Sequence, residues 1–155
     1  MSFFDIERVK LEIDILVQQH GWSKDENQIS LQSPTGNFHS GVGKLDGSIE
    51  ENFNAINVDK SWELYRFISE HGLVRTRIML LKPKTCYTLH RDKTKRMHLA
   101  VTTDPRCLFL KGRQAFHIPA DGVPYLIDTT EEHTAMNCTF DVERIHVVGC
   151  VTDKL

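Results

Sequence analysis

The chain has 155 residues, with 19 Lys+Arg against 21 Asp+Glu and a formal net charge of −2. That length is about one domain, and the 40% hydrophobic and 26% charged content excludes a disordered chain. The near-neutral balance argues against general nucleic-acid binding, and no apolar run reaches the ~20 residues of a membrane span. Eight histidines are many for this length, and imidazole is the commonest metal-binding side chain.

The N-terminal stretch MSFFDIERVKLEIDILVQQHGW has early acidic residues and no uninterrupted apolar core, so it does not read as a signal peptide. Residues 4–20 predict an amphipathic helix, because Ile6, Val9, Ile13 and Leu16 recur at three- and four-residue spacing, and Gly21 is a natural stop. Residues 23–47 are polar and contain SPTGNFHSGVGKLDG, which predicts loops around a short strand near 29–32; the Gly-rich part, 33–47, is a candidate substrate lid or an ordinary surface loop. Residues 62–71 predict a second short helix ended by Gly72. From Val74 onward, runs rich in Val, Ile, Leu, Thr and Phe alternate with turn residues. Strands are expected near 74–81, 86–90, 96–103, 107–110, 114–118, 123–127, 133–138 and 144–151. Eight short strands at intervals of roughly ten residues imply a sandwich, barrel or jelly roll.

The four cysteines, at 86, 107, 138 and 150, have no Cys-x-x-Cys spacing and lie in strand-like segments, so reduced, buried thiols and a cytoplasmic setting are expected.

His90-Arg91-Asp92 is a His-x-Asp triplet at the end of a strand-like run, where a strand end and a turn can bring both side chains to one point. His133 follows a polar turn and begins another strand 41 residues after Asp92, and it is the candidate third ligand. Two imidazoles and one carboxylate on one face of a metal suit Fe(II) and leave three positions open for substrates. His146 is the competing distal ligand, while His117 reads as a core or barrel-lining residue. Arg144, eleven residues after His133, stands in the otherwise apolar strand ERIHVVGCV. Buried there it needs an anion, and its planar fork suits a carboxylate. Arg96 opens RMHLAV in the same way and shares a strand face with His98. Pairing of one or both arginines with structural carboxylates, such as Asp128 or Asp141, is the alternative.

The runs LHRDKTKRMHLAV, YLIDTTEEHTAMN and ERIHVVGCV together resemble the aspartyl/asparaginyl (and prolyl) hydroxylase-like branch of the Fe(II)/2-oxoglutarate-dependent dioxygenases, over about residues 74–151. The resemblance implies a mainly β chain with flanking helices, a double-stranded β-helix of the jelly-roll, cupin-like kind. It implies one dioxygenase-like domain over 1–155, with helices and loops in 1–73 and the barrel in 74–151. It implies His90, Asp92 and His133 as iron ligands and Arg144 on the distal carboxylate of 2-oxoglutarate, with Arg96 and His98 near the carboxylate that chelates iron. The implied activity uses Fe(II), 2-oxoglutarate and O2, yields succinate and CO2, and hydroxylates an amino-acid side chain, free or in a peptide or protein. Two departures stand out. The vertebrate aspartyl hydroxylases lack the carboxylate ligand that Asp92 provides, so aspartyl specificity does not carry over. No serine upstream is placed to assist Arg144. A non-catalytic cupin-like binding module, or a cupin enzyme using another metal, is the alternative function.

Overall fold

The computed structural model describes residues 3–152 other than 46 and 48. Helix α1 spans Ile6–His20 and helix α2 spans Glu63–His71, with a 3-10 turn at Glu50–Asn52 between them. The strands are β1 Gln28–Ser30, β2 Val74–Leu81, β3 Thr85–Cys86, β4 Lys95–Thr102, β5 Cys107–Lys111, β6 Gln114–Phe116, β7 Tyr125–Ile127, β8 His133–Asn137 and β9 Arg144–Val151.

All the observed strand pairings are antiparallel, and they form two sheets: β1-β2-β9-β4-β7 and β3-β8-β5-β6. Strands distant in sequence become neighbours, and the chain alternates between the sheets as it winds. This is the jelly-roll, double-stranded β-helix arrangement, one of the three architectures the strand spacing left open and the one the resemblance implies. β1 adds an edge strand from the N-terminal half of the chain, outside the 74–151 barrel. The expected 86–90 strand is shorter: pairing stops at Cys86 and resumes as one isolated bridge between His90 and His133.

The period-2 alternation decides which face each side chain takes. On β2, β4 and β9 one face presents Ile78, Leu99, Val101 and Val147 to the helices. There they join Val9, Ile13, Leu16, Leu64, Phe67 and Ile68 in the larger core. The opposite face carries Arg75, Arg77, Arg96, His98, Arg144 and His146, all buried. A barrel interior lined with so much charge is not a stability device, since burying unpaired cations is unfavourable. The helices are fixed by polar detail as well. Asp5 caps α1 by accepting the Arg8 N–H at 3.2 Å. Trp62 offers α2 no side-chain cap, and the buried Glu12 of α1 takes that role by accepting the N–H groups of Glu63 and Leu64, each at 2.9 Å.

Two expectations need correction. Cys107 and Cys150 are buried free thiols, but Cys86 and Cys138 are exposed: one lies on the short edge strand β3, the other just beyond β8. His117 lies past the end of β6, half-buried, with Nδ1 2.8 Å from the Cys107 carbonyl, and it does not line the barrel cavity. Among the described residues no helix is long and apolar enough to cross a membrane.

Candidate metal centre

The bridge between His90 and His133 is a reciprocal pair of backbone hydrogen bonds, each 3.0 Å long, and it sets the two imidazoles side by side with ring centroids 4.4 Å apart. Asp92, two residues on, is turned back to the same point because its N–H donates to the Thr129 carbonyl at 2.8 Å. One ligand atom from each of His90, Asp92 and His133 lies within 4.8 Å of the others. His133 Nε2 is 3.5 Å from Asp92 Oδ2, and His90 Nε2 is 3.7 Å from Asp92 Oδ1. His146 takes no part in this group.

The two histidines are oriented alike. His90 Nδ1 lies 2.6 Å from the Thr88 carbonyl and His133 Nδ1 lies 2.9 Å from the Glu131 carbonyl. A carbonyl can only accept, so each Nδ1 carries a proton, and in the neutral ring Nε2 holds the lone pair that faces Asp92. Such outer hydrogen bonds fix tautomer and ring plane in metal-binding histidines. Two neutral imidazole nitrogens and a carboxylate oxygen converging in this way can hold a divalent metal ion.

The centre opens on a cavity of about 970 Å³ lined among others by Arg75, Arg77, Tyr87, Arg96, His98 and Arg144. Arg144, at the start of β9, is 3% exposed, and its Nε has no hydrogen-bond partner. Among the described residues no carboxylate pairs with it. Its guanidinium instead sits 6.0 Å from the Phe109 ring centroid. Burial lowers its pKa, with the Tyr87 phenol opposing that shift from nearby. Neither Asp128 nor Asp141 answers either arginine, but Arg96 does pair with a structural carboxylate, Glu50.

Arg96 is held differently. Its Nη2 is 2.8 Å from Glu50 Oε2, its Nε is 3.5 Å from Asp92 Oδ2, and its Nη1 bonds to Thr94. It thus ties the candidate metal carboxylate to Glu50. Glu50 also accepts from the Thr94 hydroxyl and the Cys150 thiol, each at 2.9 Å. Burial pushes the Glu50 carboxyl up, but the Cys150 thiol, Arg96, Thr94 and Arg75 outweigh it and hold it below its ordinary value. The Cys150 thiol is pushed up to about 12, chiefly by burial.

His98 and His146 meet Nδ1 to Nδ1 at 3.1 Å. Burial, then Arg144, push both well below the ordinary imidazole value, so both are neutral. One nitrogen must donate. His146 Nε2 is buried without a partner, and a buried orphan N–H is rarer than an orphan lone pair. The favoured tautomer therefore has His146 donating from Nδ1, which leaves the His98 proton on Nε2, the ring edge away from His146.

Three residues are additions to the sequence reading. Arg77 stands in the apolar run VRTRIMLL, so the signal that marks Arg144 marks it as well. Tyr87 supplies a hydroxyl near Arg144 where no serine does. Glu50 carries no sequence signal, because it reaches the barrel only through the fold of a long loop. The peripheral histidines join surface elements: His20 stacks on Phe38 at 4.0 Å, His39 Nε2 lies 2.9 Å from the Gly21 carbonyl, and His71 Nδ1 lies 2.9 Å from the Phe67 carbonyl. His39 and Phe38 thereby anchor the 33–47 segment to the end of α1, while Gly43, Lys44 and Leu45 reach the cavity mouth. Residue 46 of that segment lies outside the described residues.

No protein-family model matches the chain, and no curated protein matches it. Solved structures do. A Cupin 2 conserved barrel domain protein from Salinispora arenicola aligns over 48% of this chain and 60% of its own, at 13% identity and a TM-score of 0.39. A cupin-2 domain containing protein from Shewanella frigidimarina aligns over 49% and 69%, at 14% identity and 0.37. A predicted oxalate decarboxylase from Thermotoga maritima aligns over 56% and 74%, at 18% identity and 0.38. The strand order defines the class, a cupin-like jelly roll, and the His/Asp/His group gives that barrel a set of residues able to bind a metal ion.

Proposed function

We propose that the chain is an Fe(II)- and 2-oxoglutarate-dependent oxygenase that hydroxylates an amino-acid side chain, free or within a peptide or protein. The observation that carries this reading is a single cavity containing both the His90/Asp92/His133 group and, in Arg144, a buried guanidinium without a carboxylate. A structural metal site has no need of the second feature.

His90 Nε2, His133 Nε2 and an Asp92 oxygen would hold the ion. Bound there, Fe(II) would supply the activation of O2 that couples decarboxylation of 2-oxoglutarate to hydroxylation. Arg144 receives the distal carboxylate of 2-oxoglutarate with its fork, and the Tyr87 hydroxyl adds a donor in the place a serine would take. His98 offers its Nε2 proton to an anionic oxygen, and His146 keeps it in that tautomer. Arg96, bonded to Glu50, fixes Asp92 rather than standing free for a ligand; this refines the role that the sequence resemblance implies for it. The enclosing barrel keeps water from the ion-paired groups, which strengthens each electrostatic contact.

The test is succinate formation from 2-oxoglutarate in air with Fe(II) and ascorbate. The wild-type chain should produce succinate, and His133→Ala should not. Wild-type protein that yields no more succinate than His133→Ala overturns the reading and leaves the cupin-like binding module or another metal enzyme.

A further inference from the structure

Among the described residues, Arg77 is the second buried guanidinium in the cavity that no carboxylate answers. It lies mid-strand on β2, 6% exposed, with Nε unpartnered. Its Nη1 donates to Gln28 Oε1 at 3.0 Å. That oxygen already accepts the Gly43 N–H at 2.9 Å, and it is neutral. A single shared amide dipole therefore stands opposite a full buried charge, and burial, then Arg75, draw the Arg77 pKa down to about 10.

Register separates Arg77 from Arg144. Arg77 pairs with Val148 on β9, and Val148 pairs with His98 on β4. Arg144 lies four residues back along β9, a spacing of roughly 13 Å at ~3.3 Å per residue. The two side chains therefore rise from different levels of the sheet.

The charges in the cavity support a second anion. Four buried guanidiniums, Arg75, Arg77, Arg96 and Arg144, face three carboxylates, Glu50, Glu51 and Asp92, along its walls, and the exposed Lys44, Arg91 and Lys93 add further positive charge. His98 is neutral. A divalent ion and dianionic 2-oxoglutarate would cancel each other, so the loaded cavity keeps an excess of positive charge. Arg75 and Arg96 both contact Glu50, at 3.7 and 2.8 Å, and Arg144 would take 2-oxoglutarate, so of the four buried guanidiniums Arg77 is the one left without a carboxylate among the described residues.

We propose that Arg77, held in place by Gln28, binds a carboxylate of the primary substrate, separate from the carboxylate that Arg144 takes. The inference rests on the oxygenase reading and names its substrate class. The carboxylate belongs either to a free L-amino acid or to an acidic side chain of a peptide.

Calorimetry on anaerobic protein, loaded with redox-inert Mn(II) and saturated with 2-oxoglutarate, distinguishes these. The probes are the free L-amino acids, their carboxamides, and a blocked tripeptide with central Asp beside its Asn counterpart. A free amino acid that binds while its amide does not identifies an α-carboxylate; the Asp peptide binding over the Asn peptide identifies a side chain. In either case Arg77→Met should weaken that probe roughly tenfold or more and leave 2-oxoglutarate affinity within about twofold. Absence of binding by every carboxylate probe, binding indifferent to Arg77→Met, or loss of 2-oxoglutarate affinity instead overturns the proposal.

Thermal unfolding of the metal-free protein keeps the two ideas apart. There Arg77→Met should unfold no lower than wild type and should lose the upward shift that added L-aspartate gives the wild type. A drop of several degrees with an unchanged aspartate response marks Arg77 as framework and overturns the proposal. Failure of 2-oxoglutarate to bind wild type overturns the oxygenase reading, and the metal-free arm then decides on Arg77.

Discussion

Replacing Arg144 by methionine separates a ligand-binding arginine from a structural one. The side chain is 3% exposed, its Nε is orphaned, and its visible neighbour is the Phe109 ring at 6.0 Å. A carboxylate bound there is stripped of water, and removing one partner of a buried, hydrogen-bonded charge pair costs about 2–5 kcal/mol. At ~1.4 kcal/mol per tenfold, the Kd for 2-oxoglutarate should rise about 30-fold to several thousandfold. Arg144→Lys keeps the charge but loses the fork, so it should fall between wild type and methionine. The ligand-free protein should behave in the opposite sense. Methionine removes an uncompensated buried cation while filling similar volume, so stability should hold or rise. Calorimetry of 2-oxoglutarate binding to Mn(II)-loaded protein, with thermal unfolding of the ligand-free variants, measures both. A Kd within about twofold of wild type, together with a fall in Tm, would make Arg144 a structural residue and refute the reasoning.

Three further outcomes are expected. Glu50→Gln leaves Arg96 and Arg75 facing a neutral group and should lower stability by about 3–5 kcal/mol in urea unfolding; a loss below ~1 kcal/mol would show that Glu50 is not the hub its contacts at 2.8–3.7 Å suggest. His98 and His146 titrate well below 6.5 in the folded chain, burial being the main cause. The unfolded chain therefore binds more protons below about pH 6.5, so stability should be flat above that value and fall as pH drops through it, by up to ~1.4 kcal/mol per unit for each histidine. His146→Phe should remove about half of that slope, and an unchanged slope would contradict the assignment. A Cβ at Gly149 would lie 2.5 Å from Leu73 Cδ1 and 2.8 Å from Thr76 Oγ1, so Gly149→Ala should destabilise by about 1–3 kcal/mol while leaving metal binding intact, since that position faces the helices.

Much of this was legible in the sequence, for identifiable reasons. Short strands with period-2 patterning and turns such as Lys82-Pro83 and Asp121-Gly122 marked the barrel strands closely, because alternation and turn chemistry are local. His90 and Asp92 were visible as a triplet. His133 was a candidate from its polar turn and strand start, with His146 as its rival, and the resemblance favoured it; only the fold makes the loop before β4 and the start of β8 neighbours. Glu50 left no trace because its partners lie 25 to 100 residues away and its own segment, IEEN, reads as surface. Exposure of Cys86 and Cys138 escaped for a similar reason: a strand-like residue is buried only if its sheet position is covered. Arg77 was readable by the rule that singles out Arg144, an arginine in an apolar strand.

The most direct test of the account is anaerobic Fe(II) binding, measured as metal content and affinity after equilibrium dialysis. Wild type should bind one ion per chain. Asp92→Ala and His133→Ala should each weaken binding by more than the ~10–100-fold that loss of an outer-shell partner costs, while His146→Phe leaves it near wild type. Equal metal affinity in wild type and in a His90/Asp92/His133 triple-alanine variant would contradict the account.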